Sequence, residues 1–339
     1  MTSTVDLAVV GATGLVGEAF LELLADRKLP IGELFVLASE NSLGKTLQVG
    51  KRNYKVGKAE DFDLSRVQLA VFAAGARVSQ ELAPRAADAG ALVLDLSPAF
   101  RYEPDVPLVA AGVNEEQLEA ARERNIVAAP DAATVQLLLA LKPLQELGDL
   151  LRVSVTQLQG ASAAGRNGVE RLARQSARLL NGLDAQEGGD AQHAFNLLPV
   201  AGRLQDNGYT SEELKLMLET RRVLGQPELA VDVSCVQVPV FHGIAQTVTV
   251  QGTLPMGLAQ AEACWDRAPG LQMDSGGEDL GSASPVSQIR ADLGVRLARV
   301  REDIDGQGAL SFWTVADNIK TGAAYNAVLL VEKLIKDYL

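Results

Sequence analysis

Few side chains in this sequence can act as a nucleophile. The two cysteines, Cys235 and Cys264, are far apart and have no metal-ligand spacing. Covalent acyl transfer needs a thiolate held against an oxyanion site, but Cys235 lies in an apolar alternating run, where a buried thiol is usually unreactive. Thr134 and Ser162 contribute hydroxyls without an identified base. His242 is a candidate base, although a single histidine of this kind is more often structural.

One loop has the form of a nucleophile loop without a nucleophile. The stretch NIVAAPDAATVQLLLALKPL, residues 125–144, predicts a strand, a short loop and a helix. Such loops often present a reactive side chain, yet this one offers Ala132 and Ala133. Two alternatives remain at this point: an enzyme whose chemistry lies elsewhere, or the frame of an enzyme that has lost its chemistry.

A glycine-rich turn near the N-terminus predicts a nucleotide site. An apolar strand at residues 5–10 is followed by Gly11, Gly14 and Gly17, and then by a helix. Glycines let backbone N–H groups approach a phosphate, and a helix N-terminus favours negative charge. A tight turn without a ligand is the alternative. The residues expected to contact a dinucleotide are Gly11, Thr13, Gly14, Leu15, Val16, Gly17, Asn41 and Ser42.

The segment after the second strand bears on the choice of dinucleotide. A basic group at this place usually meets a 2′-phosphate, and an acid usually meets a free ribose hydroxyl. The segment ASENSLG, residues 38–44, supplies Glu40 and Asn41, with Lys45 just beyond and no arginine. We therefore expect NAD or NADP to bind weakly, or without selectivity for the phosphorylated form.

The elements around these residues predict two domains. Buried parallel strands at 5–10, 34–39, 69–75, 91–97 and 125–130, with helices such as 78–89 and 115–123 between them, indicate a doubly wound α/β domain of the Rossmann type. We place this dinucleotide-binding domain at residues 1–129.

The rest of the chain indicates an α+β substrate or dimerisation domain at 130–315, and then a C-terminal helix, 316–339, that returns to the first domain. Alternating runs at 150–160, 229–240 and 245–254 predict antiparallel strands with one buried face. Helices are predicted at 168–182, 210–224 and 321–339, and irregular segments at 183–209 and 267–290. The helices cover one face of this sheet, and we expect a homodimer to bury the other, largely apolar face. The alternative is that another part of the same chain covers that face.

Composition excludes several classes of function. The net charge of -12 disfavours a nucleic-acid binder or an anionic-membrane binder, because both need a basic surface. No stretch suggests a metal site, a signal peptide or a membrane span. With only two cysteines, a reducing cytoplasm is the expected compartment.

Several stretches together resemble the aspartate-semialdehyde dehydrogenase family, in order from about residue 5 to residue 337. They are VVGATGLVG, DLSPAFRYEPDVPLV, APDAATVQ, QGASAAG, EELKLMLETRRVLG, CVQVPVFHG and DNIKTGAAYNAV. The resemblance implies a dimeric enzyme that reduces aspartyl phosphate to aspartate semialdehyde with NADPH. It also implies a cysteine that forms a thioester and a histidine that acts as acid and base.

The positions of the family's catalytic residues are altered in this chain. The nucleophile loop Pro-Asn-Cys corresponds to Pro130-Asp131-Ala132. Gln237 stands where the arginine that holds the substrate carboxylate is expected, and Ile244 stands where the histidine is expected. His242, two residues before Ile244, would point to the same face of a regular strand. We expect this displacement to be too large for His242 to replace the base.

Other positions retain the family's residue types. The resemblance implies that Arg101 and Lys215 bind phosphate or an anionic substrate, that Glu212 meets the substrate amino group, and that Gln159 lies beside the acyl centre. The structural alternative is that Arg101 and Lys215 pair with carboxylates such as Asp131 and Glu212.

Loss of the nucleophile, the base and the carboxylate anchor resembles the catalytically deficient, Usg-like paralogues of the family. Two functions follow as expectations. The first is a non-catalytic dimer that binds a nucleotide, a small anionic ligand or a partner. The second is an NAD(P)-dependent oxidoreductase with altered, non-covalent chemistry.

Overall fold

The chain forms two compact units. The computed structural model describes residues 4–185, 191–274, 280–289, 293–304 and 308–339. The first unit comprises residues 1–131 together with 323–339, and the second comprises residues 132–322. The two boundaries thus follow residues 131 and 322, whereas the sequence pattern placed them after 129 and 315.

A six-stranded parallel sheet forms the centre of the first unit. Its order is β5-β2-β1-β6-β7-β8, and β3 and β4 form a separate hairpin. The elements are β1 (Val5–Val10), α1 (Leu15–Ala25), β2 (Ile31–Ala38), β3 (Thr46–Val49), β4 (Arg52–Lys55), β5 (Gly57–Lys58), β6 (Leu69–Phe72), α2 (Ala76–Asp88), β7 (Leu92–Asp95) and β8 (Ile126–Ala128). Strands β6, β7 and β8 are wholly buried, as expected of strands with both faces covered. The predicted doubly wound α/β domain is confirmed.

The predicted helix at 115–123 differs in type. Residues Glu115–Glu123 form a 3₁₀ helix. The N–H of Gln117 bonds to the carbonyl of Asn114, and the N–H of Arg124 bonds to that of Ala121. These three-residue steps wind the segment more tightly than an α-helix.

A six-stranded sheet also forms the centre of the second unit, in the order β10-β9-β11-β14-β13-β12. The elements are α3 (Ala132–Leu141), β9 (Leu150–Gln159), α4 (Gly165–Leu180), α5 (Ser211–Leu224), β10 (Ala230–Gln237), β11 (Ile244–Gly252), α6 (Leu258–Asp266), β12 (Leu271–Met273), α7 (Pro285–Gln288), β13 (Val295–Glu302) and β14 (Ala309–Ala316). Thr210 caps α5 through a reciprocal pair of hydrogen bonds with Glu213.

This second sheet is mixed and mainly antiparallel, which confirms the predicted fold class, but the strand predicted at 229–240 is parallel to its neighbour. β10 pairs with β9 in parallel, and β12 pairs with β13 in parallel, while the central pairs are antiparallel. The helices α4 and α5 lie between β9 and β10 in sequence. A helical crossover returns the chain in the same direction, which alternation along a single strand does not reveal.

The two faces of the second sheet differ in chemistry. Gln246, Val248 and Val250 of β11 are buried, and Gln246 contacts the backbone of α3. The alternate residues Thr247 and Thr249 are exposed. Their partners on β9 are Thr156 and Ser154, and their partners on β14 are Trp313 and Ser311. These rows therefore combine hydroxyl side chains with the aromatic side chain of Trp313, and a dimer interface through this sheet stays a prediction.

The other segments contain both expected and unexpected structure. Residues 191–209 contain no helix or strand of three residues or more, in agreement with the predicted irregular connection, and 186–190 lie outside the described residues. The segment 267–290 was predicted as a loop, but it contains β12 and α7. Part of that segment, 275–279 and 290, also lies outside the described residues.

The C-terminal segment begins with a π-helix, Asn318–Tyr325, and continues as α8 (Asn326–Asp337). Within the first unit, the N–H of Ala111 donates to the Asn326 side-chain oxygen at 2.9 Å. Arg27 and Glu332 form an ion pair at 3.2 Å. Of the helices in the described part of the chain, none is long and apolar enough to cross a membrane.

Candidate functional site

The glycine turn after β1 has the close backbone approach that a nucleotide site requires. Gly11 has a φ of 86°, and a Cβ there would lie 2.5 Å from the carbonyl oxygen of Ala73. A Cβ on Gly17 would collide with the carbonyl oxygen of Gly11. Gly14 precedes α1 without any side-chain cap, so the first N–H groups of the helix remain available to a phosphate. Leu15 and Val16 form the first turn of this helix.

Three side chains connect the segment after β2 to this glycine turn. Thr13 donates a hydrogen bond to the Ser42 hydroxyl at 3.2 Å. Lys45 Nζ lies 3.5 Å from the same oxygen. Asn41 is exposed beside the buried Ser42. Lys45 thus lies at this cluster, although it was not among the predicted cofactor contacts.

Arg101 forms a buried ion pair. Its side chain is only 4% exposed, and Nη1 lies 3.6 Å from Asp131 Oδ2. Nη2 donates to the carbonyl oxygen of Leu96 at 2.8 Å. Burial raises the pKa of the nearby Asp95 carboxyl, while hydrogen bonds from Ser97 and the charge of Arg101 act in the opposite direction. The first predicted anion-binding cation therefore has an internal carboxylate partner.

Lys215 also has an internal partner. Its Nζ lies 2.7 Å from Glu212 Oε2, one turn away on α5. Both predicted cations therefore form the structural ion pairs that were the alternative to ligand binding.

Three predicted positions lie in one row across the second sheet. Gln159 of β9 is directly opposite Gln237 of β10 and also directly opposite Ile244 of β11. Residues paired in this way point to the same face. Ile244 is 2% exposed and Gln159 is 8% exposed. Gln237 Nε2 donates to the carbonyl oxygen of Val200 at 2.6 Å, so its amide is held by a loop.

A network of uncharged polar groups joins this row to the start of α3. Gln246 Nε2 donates to the carbonyl oxygen of Ala133 at 3.0 Å and to Gln157 Oε1 at 3.3 Å. Gln157 Nε2 in turn donates to Gln159 Oε1 at 3.0 Å. Thr314 Oγ1 donates to Gln246 Oε1 at 3.1 Å. Ile244 shares the face of Gln246 because it lies two residues earlier on the same strand.

Sequence reasoning missed the network, except for Gln159. Its members are polar residues at positions of otherwise apolar buried runs. That interruption of the pattern was the available signal, since buried polar side chains need hydrogen-bond partners.

The alternative nucleophiles are enclosed. Cys235 is 1% exposed, and its backbone N–H donates to Glu213. Burial, followed by the charge of Glu146, raises the pKa of the Cys264 thiol, which lowers its thiolate fraction. The Thr134 hydroxyl donates to the buried Glu219 carboxylate at 2.7 Å, where no substrate has access.

The other two candidates are Ser162 and His242. The Ser162 hydroxyl donates to the Asn318 side chain at 2.8 Å. β11 begins at Ile244, and Gly243 before it has a φ of 94°. His242 therefore lies before the strand, and the displacement expected for it along a regular strand does not apply.

Within the described ranges, no group of three or more histidine, cysteine or acidic residues is placed to hold a metal ion.

Comparison with known families accounts for almost the whole chain. Residues 6–121 match the NAD binding domain of semialdehyde dehydrogenases, and residues 141–321 match the dimerisation domain of the same enzymes. These matches support binding of a nicotinamide dinucleotide and formation of a homodimer.

Individual relatives agree with these matches. The chain is 41% identical to aspartate-semialdehyde dehydrogenase 2 of Vibrio cholerae serotype O1 over 342 residues, with 100% of each chain covered. It is 39% identical to the USG-1 protein homolog of Azotobacter vinelandii, with 99% of each covered. The crystal structure of aspartate semialdehyde dehydrogenase II from Vibrio cholerae complexed with ASA has a TM-score of 0.95 at 40% identity, covering 99% of this chain and 100% of that one. The chain therefore belongs to the aspartate-semialdehyde dehydrogenase family.

Proposed function

We propose that this chain is a dimeric, dinucleotide-binding member of the family that lacks phosphorylating aspartate-semialdehyde dehydrogenase activity. The observation that carries the proposal is Ala132 at the first position of α3, where the family motif has its cysteine. The Usg-1 name of one relative is consistent with this proposal.

The missing side chains account for the chemistry that is lost. A methyl group has no electron pair with which to attack a carbonyl, so Ala132 cannot form the thiohemiacetal and thioester that the family reaction requires. The buried Ile244 cannot move a proton. Gln237 is neutral and bound to Val200, so it cannot clamp a carboxylate as an arginine does.

Among the described residues, the polar network that joins the start of α3 to β11 contains no base. The side-chain amide of Gln246 on β11 contacts the first turn of α3. The side chains that form hydrogen bonds with this amide, Gln157 and Thr314, are also neutral. General acid–base catalysis needs a titratable group within hydrogen-bond reach of the reacting proton. The glutamine network provides hydrogen bonds and no titratable group.

The cofactor site supports retained binding. Gly11 and Gly17 leave room that a Cβ would fill, and the start of α1 has no side-chain cap. A bound nicotinamide dinucleotide would supply hydride chemistry. Without an arginine at position 41, we expect binding that is weak or not selective for the 2′-phosphorylated form.

Titration of purified protein with NADH, NADPH, AMP and ADP tests the binding half of the proposal. We expect saturable binding of a dinucleotide, and no dinucleotide binding at millimolar concentration would contradict it. Sedimentation at micromolar concentration tests the dimer, and a monomer there would count against it. An assay with aspartate semialdehyde, phosphate and NADP tests the catalytic half, in protein expressed without the host enzyme.

A further inference from the structure

Arg101 is a buried cation of the first unit, and its partners determine whether its charge is available to a ligand. A guanidinium that is 4% exposed is stable only with hydrogen-bond and charge partners, because burying an isolated charge is very unfavourable. The carbonyl of Leu96 accepts one hydrogen bond from it. Asp131 provides the full negative charge at 3.6 Å.

Asp131 is more exposed than its partner. Its side chain is 26% exposed, and it stands three residues beyond the end of β8. β7, which ends at Asp95, is the parallel neighbour of β8. The carboxyl ends of neighbouring parallel strands meet at one edge of a doubly wound sheet, where such folds bind their ligands. The carboxylate of Asp131 thus lies on the accessible side of a buried cation at a ligand-binding edge.

The charges at this edge disfavour an incoming anion. The positive charge of Arg101 is matched by Asp131, and Asp95 lies close enough for Arg101 to influence it. A phosphate that bound Arg101 would lie close to the Asp131 carboxylate, which is 3.6 Å from Nη1 of Arg101. Like charges at short distance repel strongly at partly buried sites.

We propose that Asp131 is a specificity-determining residue that occupies Arg101 as an internal anion and excludes tetrahedral oxyanions such as inorganic phosphate. Asp131 stands where the family motif has a neutral asparagine, so the exclusion is a property of this chain. This inference rests on the proposed function, because it describes the same site, and it adds a second and independent loss. Even a restored nucleophile would lack its phosphate co-substrate.

The substitution Asp131→Asn tests the proposal directly. It keeps the size and one hydrogen-bonding oxygen of the side chain, and it removes the charge that neutralises Arg101. We expect calorimetric titration at constant ionic strength to show that the variant binds inorganic phosphate about tenfold or more tightly than the unmodified protein. The reason is that Arg101 could then form a charge-assisted hydrogen bond with the phosphate. Asp131→Ser serves as a second variant if Asp131→Asn does not fold.

The chain offers a matched control. Asp105 pairs with the more exposed Arg124 at 3.0 Å, so Asp105→Asn removes one carboxylate from another arginine, which keeps Glu103 at 3.7 Å. We expect no gain in phosphate binding from this variant. Adding Arg101→Lys to Asp131→Asn should reduce the gain, because an ammonium lacks the planar two-point geometry of a guanidinium.

Three outcomes would overturn the proposal. The first is that unmodified protein binds phosphate as tightly as Asp131→Asn does. The second is that folded Asp131→Asn and Asp131→Ser both fail to gain binding, and the third is that Asp105→Asn gains as much as Asp131→Asn. These titrations use neither dinucleotide nor turnover. Activity of the unmodified protein would refute the proposed function by a separate experiment, and a failed phosphate titration would leave the argument from Ala132 unchanged.

Discussion

The glycine turn of the first unit and the start of α3 in the second unit have been retained to different degrees. The turn keeps every glycine of its motif, and Gly11 and Gly17 lie against backbone atoms that leave no room for a side chain. The start of α3 keeps its helix and its packing against the sheet, but it has Ala132 in place of a nucleophile. Nucleotide binding depends on backbone geometry that the fold itself needs, whereas covalent catalysis depends on side chains that the fold does not need. Substitution can therefore abolish catalysis and leave the frame intact.

The largest effect that this comparison predicts concerns turnover. We expect the unmodified protein to oxidise aspartate semialdehyde at least about 10⁴-fold more slowly than an active relative, since residues that act as one catalytic unit cause losses of this size or more. The measurement is NADP reduction in the presence of phosphate. Turnover at ordinary dehydrogenase rates would show that the site has been aligned wrongly, and Cys235 and His242 would then be the first residues to change.

Restoring the side chains sharpens the same test. Ala132→Cys alone should recover little, because the base and the carboxylate anchor are still missing. The informative protein combines Ala132→Cys, Gln237→Arg and Ile244→His with Asp131→Asn, since a carboxylate beside the new thiol would raise the pKa of that thiol. Recovery in the single variant that equals recovery in the combination would contradict the view that these residues act together.

The second largest effect concerns the turn. Gly17→Ala should abolish dinucleotide binding and lower the free energy of unfolding by about 3 kcal/mol, because the new methyl group collides with the Gly11 carbonyl and overpacking typically costs this much. Chemical denaturation and calorimetric titration measure the two effects. Gly75→Ala is the stability control, since a Cβ there meets nothing within 4 Å and should change stability by less than about 0.5 kcal/mol. If both variants lost the same free energy of unfolding, the collision with the Gly11 carbonyl would not be the cause of the loss in Gly17→Ala.

A third prediction separates packing from binding at the start of α3. Thr134→Val should lower the free energy of unfolding by about 2 kcal/mol, because it removes a buried hydrogen bond to the Glu219 carboxylate. Dinucleotide affinity should stay unchanged. Thr249→Val is the control, since its hydroxyl bonds to Ser311 on the exposed sheet face. A loss of nucleotide binding in Thr134→Val would show that the two regions are less independent than we argue.

The smallest effect concerns the choice of dinucleotide. Asn41→Arg should raise the preference for NADPH over NADH by about tenfold, because an arginine can bind the 2′-phosphate through two charge-assisted bonds. Asn53→Arg adds the same charge on the β3–β4 hairpin and should not change the ratio. Strong NADPH selectivity in the unmodified protein would instead assign the 2′-phosphate to the cluster of Thr13, Ser42 and Lys45.

Local patterns were sufficient for much of the fold. The alternation of strands and helices predicted the doubly wound sheet, and the interval 210–224 predicted α5, whose cap is Thr210. Pairing direction could not be predicted in the same way, because it depends on which strand edge the chain reaches after α4 and α5. The strands β13 and β14 were also not predicted, although β14 pairs directly with β11.

The sequence by itself determined the chemical inventory of this protein. The chemical limits of these side chains do not depend on the fold. A methyl group is never a nucleophile, so Ala132 cannot attack a carbonyl, and Ile244 cannot move a proton. Glycine alone lacks a Cβ, so only glycine fits where the turn has no room for one. Only the tertiary structure decided the partners. It put Gln159 between Gln237 and Ile244, joined the glutamines into one neutral network, and set Asp131 against Arg101. These contacts connect residues from strands and loops that are distant in sequence, and strand register and burial, which no local pattern encodes, determine which side chains meet.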